Sequence, residues 1–255
     1  MPELPEAERA RQQIERVLGR EIVAVEDRDT YVSRPHAPGE IAEALIGRRL
    51  TAAHRRGKFM WAETGDGPDL GLHLGMTGVI VVDEEPDPRG WDRFALEFRG
   101  GGRLALRDRR RLGRAVLEPD FSHVGPDAGE VSREEFRARI GRGTAPIKAR
   151  LMDQGRIAGV GNLLADEILY QARIDPRRRC DELSVEELDE LRRATRKAIR
   201  RAIRGGGAHV GEINPERRPG GRCPRCGRPL ESARIGGRTT YWCPVCQVGD
   251  DPPAA

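Results

Sequence analysis

The chain of 255 residues contains no apolar run long enough to cross a bilayer, which excludes a membrane-spanning helix and predicts a soluble protein without a membrane partner. It shows no secretory signal sequence, so we expect it to stay in a reducing cytoplasm. No internal repeat is present, which excludes repeat architectures. The length is sufficient for about two domains with their own hydrophobic cores.

Lysine is also scarce. Of the 45 basic residues, only three are lysines, namely Lys58, Lys148 and Lys197. The other basic residues are arginines, whose guanidinium groups bind phosphates in a two-point geometry. Genomic base composition also produces a high arginine content, and the formal net charge is only +4. The clustering of the arginines is better evidence for a polyanionic partner. The clusters lie at 107–114, 173–179, 192–204 and 217–228.

Cysteine is present five times, and four of these residues form two Cys-x-x-Cys pairs with sixteen residues between the pairs. This spacing favours a zinc site, and four thiolates fill a tetrahedral shell without leaving a position for a substrate. The metal therefore has a structural role. Disulfides are the competing use, but the pair spacing and the single additional Cys180 favour reduced thiols. The predicted ligands are Cys223, Cys226, Cys243 and Cys246.

The segment between the two cysteine pairs predicts a β-hairpin that turns at Gly236 and Gly237. This turn would hold Arg238 at the hairpin tip. In that position Arg238 is either a solvated side chain or a phosphate contact.

The amino terminus reads Pro-Glu-Leu-Pro-Glu directly after Met1. Removal of Met1 would leave the secondary amine of Pro2 as the amino terminus, with Glu3 as its neighbour. An α-amino group has a pKa of about 8, so roughly a tenth of it is neutral and nucleophilic at pH 7. A proline amine condenses with a carbon centre to an iminium ion, which favours elimination. The alternative is structural, with Pro5 opening a helix and Glu6 complementing its dipole.

The first half of the chain alternates short apolar stretches with glycine, proline and aspartate, which predicts a β-sandwich with a leading helix at 5–18. A second short helix is predicted at 38–45. The predicted strands are 22–25, 50–54, 59–63, 70–74, 78–82, 93–98 and 103–106.

After Pro126 the apolar period becomes helical, which predicts a helical domain. Ser-x-x-Glu capping boxes begin at Ser132 and Ser184. A Gly-Val-Gly turn leads into Asn162, which we expect to cap a helix, and the exposed N–H groups of such a turn also suit a phosphate. The predicted helices are 132–140, 146–152, 162–172 and 184–204. A connection of low predicted order follows at 205–221.

Six motifs, in this order along the chain, resemble the formamidopyrimidine-DNA glycosylase family as far as about Gln247. They are the Pro-Glu-Leu-Pro-Glu start, Gly57-Lys58-Phe59, the stretch 73–78, the loop 108–113, the turn 159–162, and the four-cysteine finger with Gly237-Arg238-Thr239-Thr240. The resemblance implies an α+β multidomain fold with one structural Zn²⁺. Its parts would be a catalytic β-sandwich at 1–126, a helix-two-turn-helix domain at 127–210, a linker at 211–222, a β-hairpin zinc finger at 223–247 and a disordered tail at 248–255.

The same resemblance implies a base-excision repair enzyme, a DNA glycosylase with AP lyase activity. In the family, the proline matching Pro2 attacks C1′ of a damaged nucleoside, and β,δ-elimination then cuts the strand. The residue matching Glu3 handles protons, and Lys58 matches a lysine that holds the DNA and the reacting sugar. Met1 must then be removed. The partner would be double-stranded DNA with damaged bases or abasic sites, bound by a monomer located in the cytoplasm at the nucleoid.

Further positions match the DNA contacts of the family. Phosphate contacts match at His73, Asn162 and Arg238. Met76 and either Arg110 or Arg111 match the wedge that fills the gap left by an extruded base. Two features depart from the family: Leu112 stands where an aromatic residue is usual, and the segment 205–222 lacks the usual loop over an extruded purine.

Three hypotheses remain open from the sequence. The first is excision of oxidised bases, with the amino-terminal motif favouring purines. The second is an endonuclease VIII-like enzyme for oxidised pyrimidines or abasic sites, which Leu112 and the short segment 205–222 favour. The third is a binder of damaged or branched DNA without catalytic turnover.

Overall fold

A computed structural model of the chain describes residues 2–247, so the state of Met1 and the predicted tail at 248–255 lie outside the described residues. Two compact units are present. The first comprises residue 2 and Glu6–Ser122, and the second comprises Glu3–Pro5 and 123–247. None of the helices within residues 2–247 has the length and apolar character needed to cross a membrane.

The first unit is a β-sandwich, as predicted, of two four-stranded antiparallel sheets within the described residues. One sheet has the order β1-β6-β7-β5 and the other the order β2-β3-β4-β8. The strands are β1 Ile22–Glu26, β2 Ala52–Arg56, β3 Phe59–Glu63, β4 Leu70–His73, β5 Val79–Val82, β6 Asp92–Phe98, β7 Arg103–Arg107 and β8 Arg114–Leu117. Helix α1 covers Leu4–Glu15 and α2 covers Glu40–Leu45.

Alternation of side chains explains why these segments form a sandwich. In β3, Met60 and Ala62 are buried, whereas the alternate residues are more exposed. Ile14 of α1 joins the same hydrophobic core, so the leading helix covers the sheets. β8 was not predicted, because its four residues contain a single fully buried side chain, Ala115. It pairs with β4, and His73 and Arg114 are register partners.

The second unit contains four α-helices within the described residues, namely α3 Arg133–Ile140, α4 Ile147–Leu151, α5 Asn162–Ala172 and α6 Val185–Gly205. Both predicted Ser-x-x-Glu motifs begin helices, but only the motif at Ser184 forms the reciprocal capping box. The Ser132 hydroxyl accepts a hydrogen bond from the N–H of Glu135 at 3.1 Å. At α6, the Glu187 N–H donates to the Ser184 hydroxyl at 3.2 Å. Such a cap stabilises a helix by about 1 kcal/mol.

The hairpin of the second unit consists of β9 Glu231–Ile235 and β10 Arg238–Trp242. Its two-residue turn is formed by Gly236 and Gly237, with φ of 55° and 74°. Positive φ at both positions is required in the type I′ turn that suits a twisted hairpin. A Cβ atom on Gly236 would also lie 3.0 Å from the Cβ of Ala149 in α4. The predicted hairpin, with Arg238 at its tip, is confirmed.

Candidate active site and nucleic-acid interface

Glu3 caps the amino terminus of α5. Its side chain is 1% exposed. Oε2 accepts hydrogen bonds from the N–H groups of Gly161 at 2.9 Å and Leu164 at 3.0 Å, and Oε1 accepts one from Leu163 at 2.8 Å. A Cβ atom at position 161 would lie 2.3 Å from the Glu3 Cδ, so only glycine fits there. The carboxylate therefore satisfies N–H groups that a helix start leaves without partners.

This geometry corrects the prediction made for Asn162. Asn162 is the first helical residue of α5, and Gly161 holds the N-cap position without a side-chain cap. The prediction that the turn exposes N–H groups for a phosphate is also wrong for the three groups that Glu3 occupies. The physical reason is competition, since a covalently tethered carboxylate fills the anion site of the helix start. Pro2 is half-buried and precedes this fixed residue directly.

Lys58 lies in a turn, and His73 in strand β4, of the same sheet of the first unit. Lys58 follows Gly57 in the turn between β2 and β3, and its neighbour Phe59 is the register partner of His73. The rings of Phe59 and His73 have centroids 5.0 Å apart. The backbone N–H of Gly75 donates to Nδ1 of His73 at 3.1 Å. Burial lowers the pKa of His73, and the charge of Lys58 lowers it further. The ring is then neutral with its proton on Nε2, which can donate to a phosphate.

The loops that carry the predicted wedge are held by one buried carboxylate, Asp108. Its Oδ1 accepts hydrogen bonds from the hydroxyl of Thr77 at 2.5 Å and the N–H of Arg110 at 3.0 Å. Its Oδ2 accepts from the N–H groups of Leu112 at 2.7 Å and Gly113 at 2.8 Å. Asp108 thus connects the loop after β4 with the loop before β8.

The loops after β4 and before β8 each expose an apolar side chain. Met76 and Leu112 are each 40% exposed. Gly75 has a φ of 59°, and a Cβ atom there would lie 2.4 Å from the backbone of Leu112. Close approach of the two loops therefore requires glycine at position 75. The structure brings Met76 and Leu112 to one exposed surface of the first unit.

The two candidate wedge arginines differ in their contacts. The guanidinium of Arg111 is bound by the carboxylate of Asp29, with Nε 2.9 Å from Oδ2, and lies 4.6 Å from the ring centroid of Tyr31. The side chain of Arg110 is exposed and makes no hydrogen bond or ion pair with any residue from 2 to 247. Of the two, Arg110 is the guanidinium that can reach another molecule without breaking an ion pair.

Asn162 belongs to a buried polar network that the sequence did not predict. Nζ of Lys148 donates to Oδ1 of Asn162 at 2.7 Å and to the hydroxyl of Thr240 at 2.7 Å, and it lies 2.6 Å from Oδ1 of Asp166. Lys148 and Asp166 have side chains that are 0% exposed. Burial lowers the pKa of Lys148, and Asp166 opposes this change. The only indication of this network in the sequence was that Lys148 is one of just three lysines.

The network links α4 and α5 to strand β10 of the hairpin. Arg217 extends it, because its Nε donates to Oδ2 of Asp166 at 2.7 Å and its Nη2 to the carbonyl of Thr239 at 3.2 Å. The N–H of Tyr241 donates to the same Asp166 oxygen at 3.1 Å. Arg238 itself is exposed at the hairpin tip, as the first residue of this anchored strand.

The segment 205–222 is more ordered than its composition indicates. It forms a short 3₁₀ turn at Asn214–Glu216. The N–H of Ile213 donates to the buried carboxylate of Glu167 at 3.1 Å. Asp166 and Glu167 of α5 therefore fix this segment through Arg217 and Ile213, which a pattern of glycine, proline and arginine cannot reveal.

The four predicted metal ligands lie together. Their sulfur atoms are all within 4.8 Å of one another, with 3.8 Å between Cys223 and Cys246 and 3.5 Å between Cys226 and Cys243. Four sulfurs at about 2.3 Å from a central zinc ion would be roughly 3.8 Å apart, so the residues present fit zinc. The hydroxyl of Tyr170 in α5 lies 3.8 Å from the Cys223 sulfur.

Comparison with protein families covers nearly the whole chain. Residues 1–115 match the formamidopyrimidine-DNA glycosylase N-terminal domain, and residues 124–212 match the H2TH domain of the same glycosylase. Residues 220–248 match the zinc finger found in FPG and IleRS. The four-cysteine cluster of the hairpin is therefore the site of one structural zinc ion.

Individual relatives show the same similarity. The formamidopyrimidine-DNA glycosylase of a Nocardioides species is 37% identical over 97% of this chain and 94% of its own length. That of Thermus thermophilus is 36% identical over 99% of this chain and 100% of its own length.

Solved structures show the similarity in three dimensions. The crystal structure of MutM (Fpg) from Thermus thermophilus superposes with a TM-score of 0.81 at 34% identity, covering 98% of this chain and 100% of that one. Lactococcus lactis Fpg in complex with DNA containing FAPY-dG superposes with a TM-score of 0.84 at 28% identity, covering 96% of this chain and 100% of that one. Since three family domains match in order and relatives above 30% identity align along nearly their full length, this chain belongs to the formamidopyrimidine-DNA glycosylase family.

Proposed function

We propose that the protein is a DNA glycosylase and AP lyase of base-excision repair, with the amine of Pro2 as its nucleophile. The observation that carries the proposal is the position of Glu3, whose carboxylate is fixed at the start of α5 directly after Pro2. An amine and a carboxylate held together can perform covalent catalysis with proton transfer. The family membership of the chain supports the same chemistry.

The proposed reaction begins after removal of Met1. The Pro2 nitrogen attacks C1′ of the damaged nucleoside, the bond from C1′ to the base breaks, and the base leaves with the electron pair and takes up a proton. Glu3 takes up the proton that the Pro2 nitrogen loses and passes it to O4′ as the C1′–O4′ bond opens, which leaves an iminium ion between Pro2 and C1′. Loss of a C2′ proton breaks the bond from C3′ to its phosphate, and a second elimination breaks the bond at C5′.

Binding of the DNA is assigned to residues of both units. Lys58 and the neutral His73 would bind phosphates beside the reacting sugar, and Asn162 and Arg238 would bind phosphates from the second unit. Met76 and Arg110 would fill the gap left by the extruded base, since Arg111 is bound to Asp29. Leu112, exposed beside Met76, would add an apolar contact.

The proposed substrates are oxidised purines in duplex DNA. The relative from Lactococcus lactis has been solved with DNA that contains FAPY-dG and with DNA that contains an abasic site. An endonuclease VIII-like preference for oxidised pyrimidines or abasic sites is the second candidate. It is favoured by Leu112 and by the segment 205–222, whose Ile213 and Arg217 are engaged by α5. We expect a monomer in the cytoplasm, associated with the nucleoid because its substrate is chromosomal DNA.

Borohydride trapping tests this function. Protein with a mass-verified Pro2 terminus is incubated with duplexes that carry an abasic site, 8-oxoguanine or an oxidised pyrimidine, and the reduced adduct is quantified. We expect an adduct at the abasic site and a faster one with the purine lesion than with the pyrimidine. Pro2→Gly should lose at least about 90% of the adduct but keep its DNA affinity, because the phosphate contacts are unchanged.

The outcomes separate the three hypotheses. A faster adduct with the pyrimidine lesion would support the endonuclease VIII-like preference. Absence of an adduct on every duplex, with DNA still bound and Met1 removed, would mean that the protein only binds DNA. Full trapping by Pro2→Gly would remove Pro2 as the nucleophile.

A further inference from the structure

The outer face of α6 carries an unbalanced positive charge. Seven arginine and lysine residues lie between 191 and 205, and no acidic residue lies among them. The four acids of this helix all precede residue 191. Arginine abundance from base composition would raise the number of cations everywhere, but it does not exclude acids from one stretch of a helix.

The exposed cations are arranged along one line. Because successive helical residues are about 100° apart, Arg193, Lys197, Arg200 and Arg204 fall within an arc of roughly 60°. All four are exposed, whereas Leu191 and other apolar residues on the opposite side are buried. That buried side packs against α3 and α5. We name the four residues the α6 basic stripe, and the stripe faces away from α3 and α5.

Few acids within the described residues neutralise this stripe. Arg193 pairs with Glu190 at 2.8 Å, while Lys197, Arg200 and Arg204 make no ion pair with any residue from 2 to 247. Like charges three and four positions apart repel each other and weaken a helix. The sequence therefore retains three unpaired cations side by side at a cost to helix stability, which points to a ligand of opposite charge.

We propose that the α6 basic stripe binds the phosphate backbone of a second stretch of duplex DNA, separate from the stretch that carries the lesion. The stripe rises about 16 Å from Arg193 to Arg204, which corresponds to roughly five base pairs. It can therefore contact only a few phosphates, and it presents no base-reading groups. Such contacts are weak and independent of sequence, and they allow a protein to move between DNA segments while it searches. The inference rests on the proposed function, because DNA is then the polyanion that the protein meets.

A two-duplex titration tests the proposal. The protein is first trapped with borohydride on a short duplex that carries an abasic site, and a fluorescent lesion-free duplex is then titrated by anisotropy at several salt concentrations. The trapped complex should bind the second duplex with a Kd between about 10⁻⁶ and 10⁻⁴ M. The logarithm of the binding constant should fall with the logarithm of salt concentration with a slope of about −3.

The decisive variant is K197Q/R200Q/R204Q, which removes three charges and keeps good helix formers. It should bind the second duplex at least about tenfold more weakly and with a slope near zero, while trapping on the short duplex is unchanged. The matched control R16Q/R28Q/R142Q removes three exposed arginines elsewhere and should behave like the wild type. Circular dichroism verifies that α6 persists in both variants.

Two results would overturn the proposal. One is second-duplex binding by K197Q/R200Q/R204Q with wild-type affinity and slope. The other is stripe-dependent binding of polyglutamate that is as tight as binding of the duplex, which would indicate an acidic protein partner. If no covalent complex forms at all, the proposed function fails, and the same titration of free wild-type and variant proteins still tests the stripe.

Discussion

The side chain of Glu3 caps helix α5 and also lies next to the proposed nucleophile. Three backbone N–H groups fix its carboxylate, and its preceding neighbour is the proposed nucleophile. The sequence predicted the pairing of amine and acid because both residues are adjacent in the chain. It did not predict the cap, because Gly161 lies 158 positions away and Asn162 offered a local candidate.

Replacement of Glu3 by glutamine tests both its role as a helix cap and its proposed role in proton transfer. An amide nitrogen cannot accept an N–H hydrogen bond, so we expect Glu3→Gln to destabilise the protein by about 1 kcal/mol in urea denaturation. The single-turnover rate of abasic-site cleavage should fall at least about 100-fold, since proton transfer is lost. Glu43→Gln, an acid in the first turn of α2, is the control and should leave the rate unchanged. A wild-type rate for Glu3→Gln would exclude Glu3 from the proton transfers.

Arg110 and Arg111 are equivalent in the sequence but differ in the structure. Asp29, which holds Arg111, lies 82 positions away, so no local pattern could separate the two arginines. Arg111 also adopts a positive φ of 56°, in the left-handed region that residues other than glycine rarely occupy.

Alanine variants of the two arginines should therefore have different effects. Arg110→Ala should leave the unfolding midpoint unchanged and reduce the dependence of lesion excision on the opposite base, because the orphaned base loses its hydrogen-bond partner. Arg111→Ala should lower stability by about 0.5 to 1 kcal/mol through loss of its partly exposed ion pair. The measurement is the excision rate with each of four opposite bases, and the reverse pattern would assign the wedge to Arg111.

At the scale of elements, Asp108 organises the loops after β4 and before β8. Burial opposes ionisation of Asp108, but hydrogen bonds from Thr77 and from three backbone N–H groups outweigh it and hold the pKa below its usual value. The folded state therefore favours the ionised form, and this contribution is complete above the unfolded pKa of about 3.9. It is lost as the pH falls through the lower folded pKa.

Asp108→Ala should destabilise the protein by about 3 kcal/mol at pH 7, because the hydroxyl of Thr77 and three backbone N–H groups lose their acceptor. As the pH falls below about 4, the free energy of unfolding should depend less steeply on pH in the variant than in the wild type. Asp66→Ala, which removes an exposed carboxylate from an ion pair with Arg48, is the control and should change stability by less than about 0.5 kcal/mol. Equal stability of both variants would mean that Asp108 does not hold the loops.

The elements themselves were predictable where a local signal exists. Short apolar stretches separated by glycine, proline and aspartate predicted the strands up to β7, and Ser-x-x-Glu motifs predicted α3 and α6. β8 was missed because pairing with β4, not its own pattern, determines it. The role of Lys148 was missed and the order of the segment 205–222 was misjudged for a related reason, since their partners on α5 are distant in the sequence.

At the scale of the molecule, the zinc finger is bound to the helices of the second unit. Asp166 and Lys148 bind its strand β10, and Tyr170 lies beside a cysteine ligand. Zinc would hold both Cys-x-x-Cys pairs, and the buried network would connect the hairpin to α5. Arg238 at the hairpin tip therefore depends on the metal and on α5 for its position.

Removal of zinc should unfold the finger and weaken DNA binding. We expect chelation to lower the affinity for an abasic-site duplex at least about tenfold, because the contact of Arg238 is lost, while the Pro2 amine is untouched. Anisotropy of labelled DNA, with metal content measured in parallel, checks this expectation. Tight binding by verified metal-free protein would contradict the coupling of finger and DNA, and restoration by added zinc is the control.

The most direct measurement for the whole account is tandem mass spectrometry of the borohydride-reduced adduct with an abasic-site duplex. The account predicts that the sugar is attached to the nitrogen of Pro2 in a peptide that lacks Met1. Attachment to another residue, such as Lys58, would contradict the assignment of Pro2 as the nucleophile.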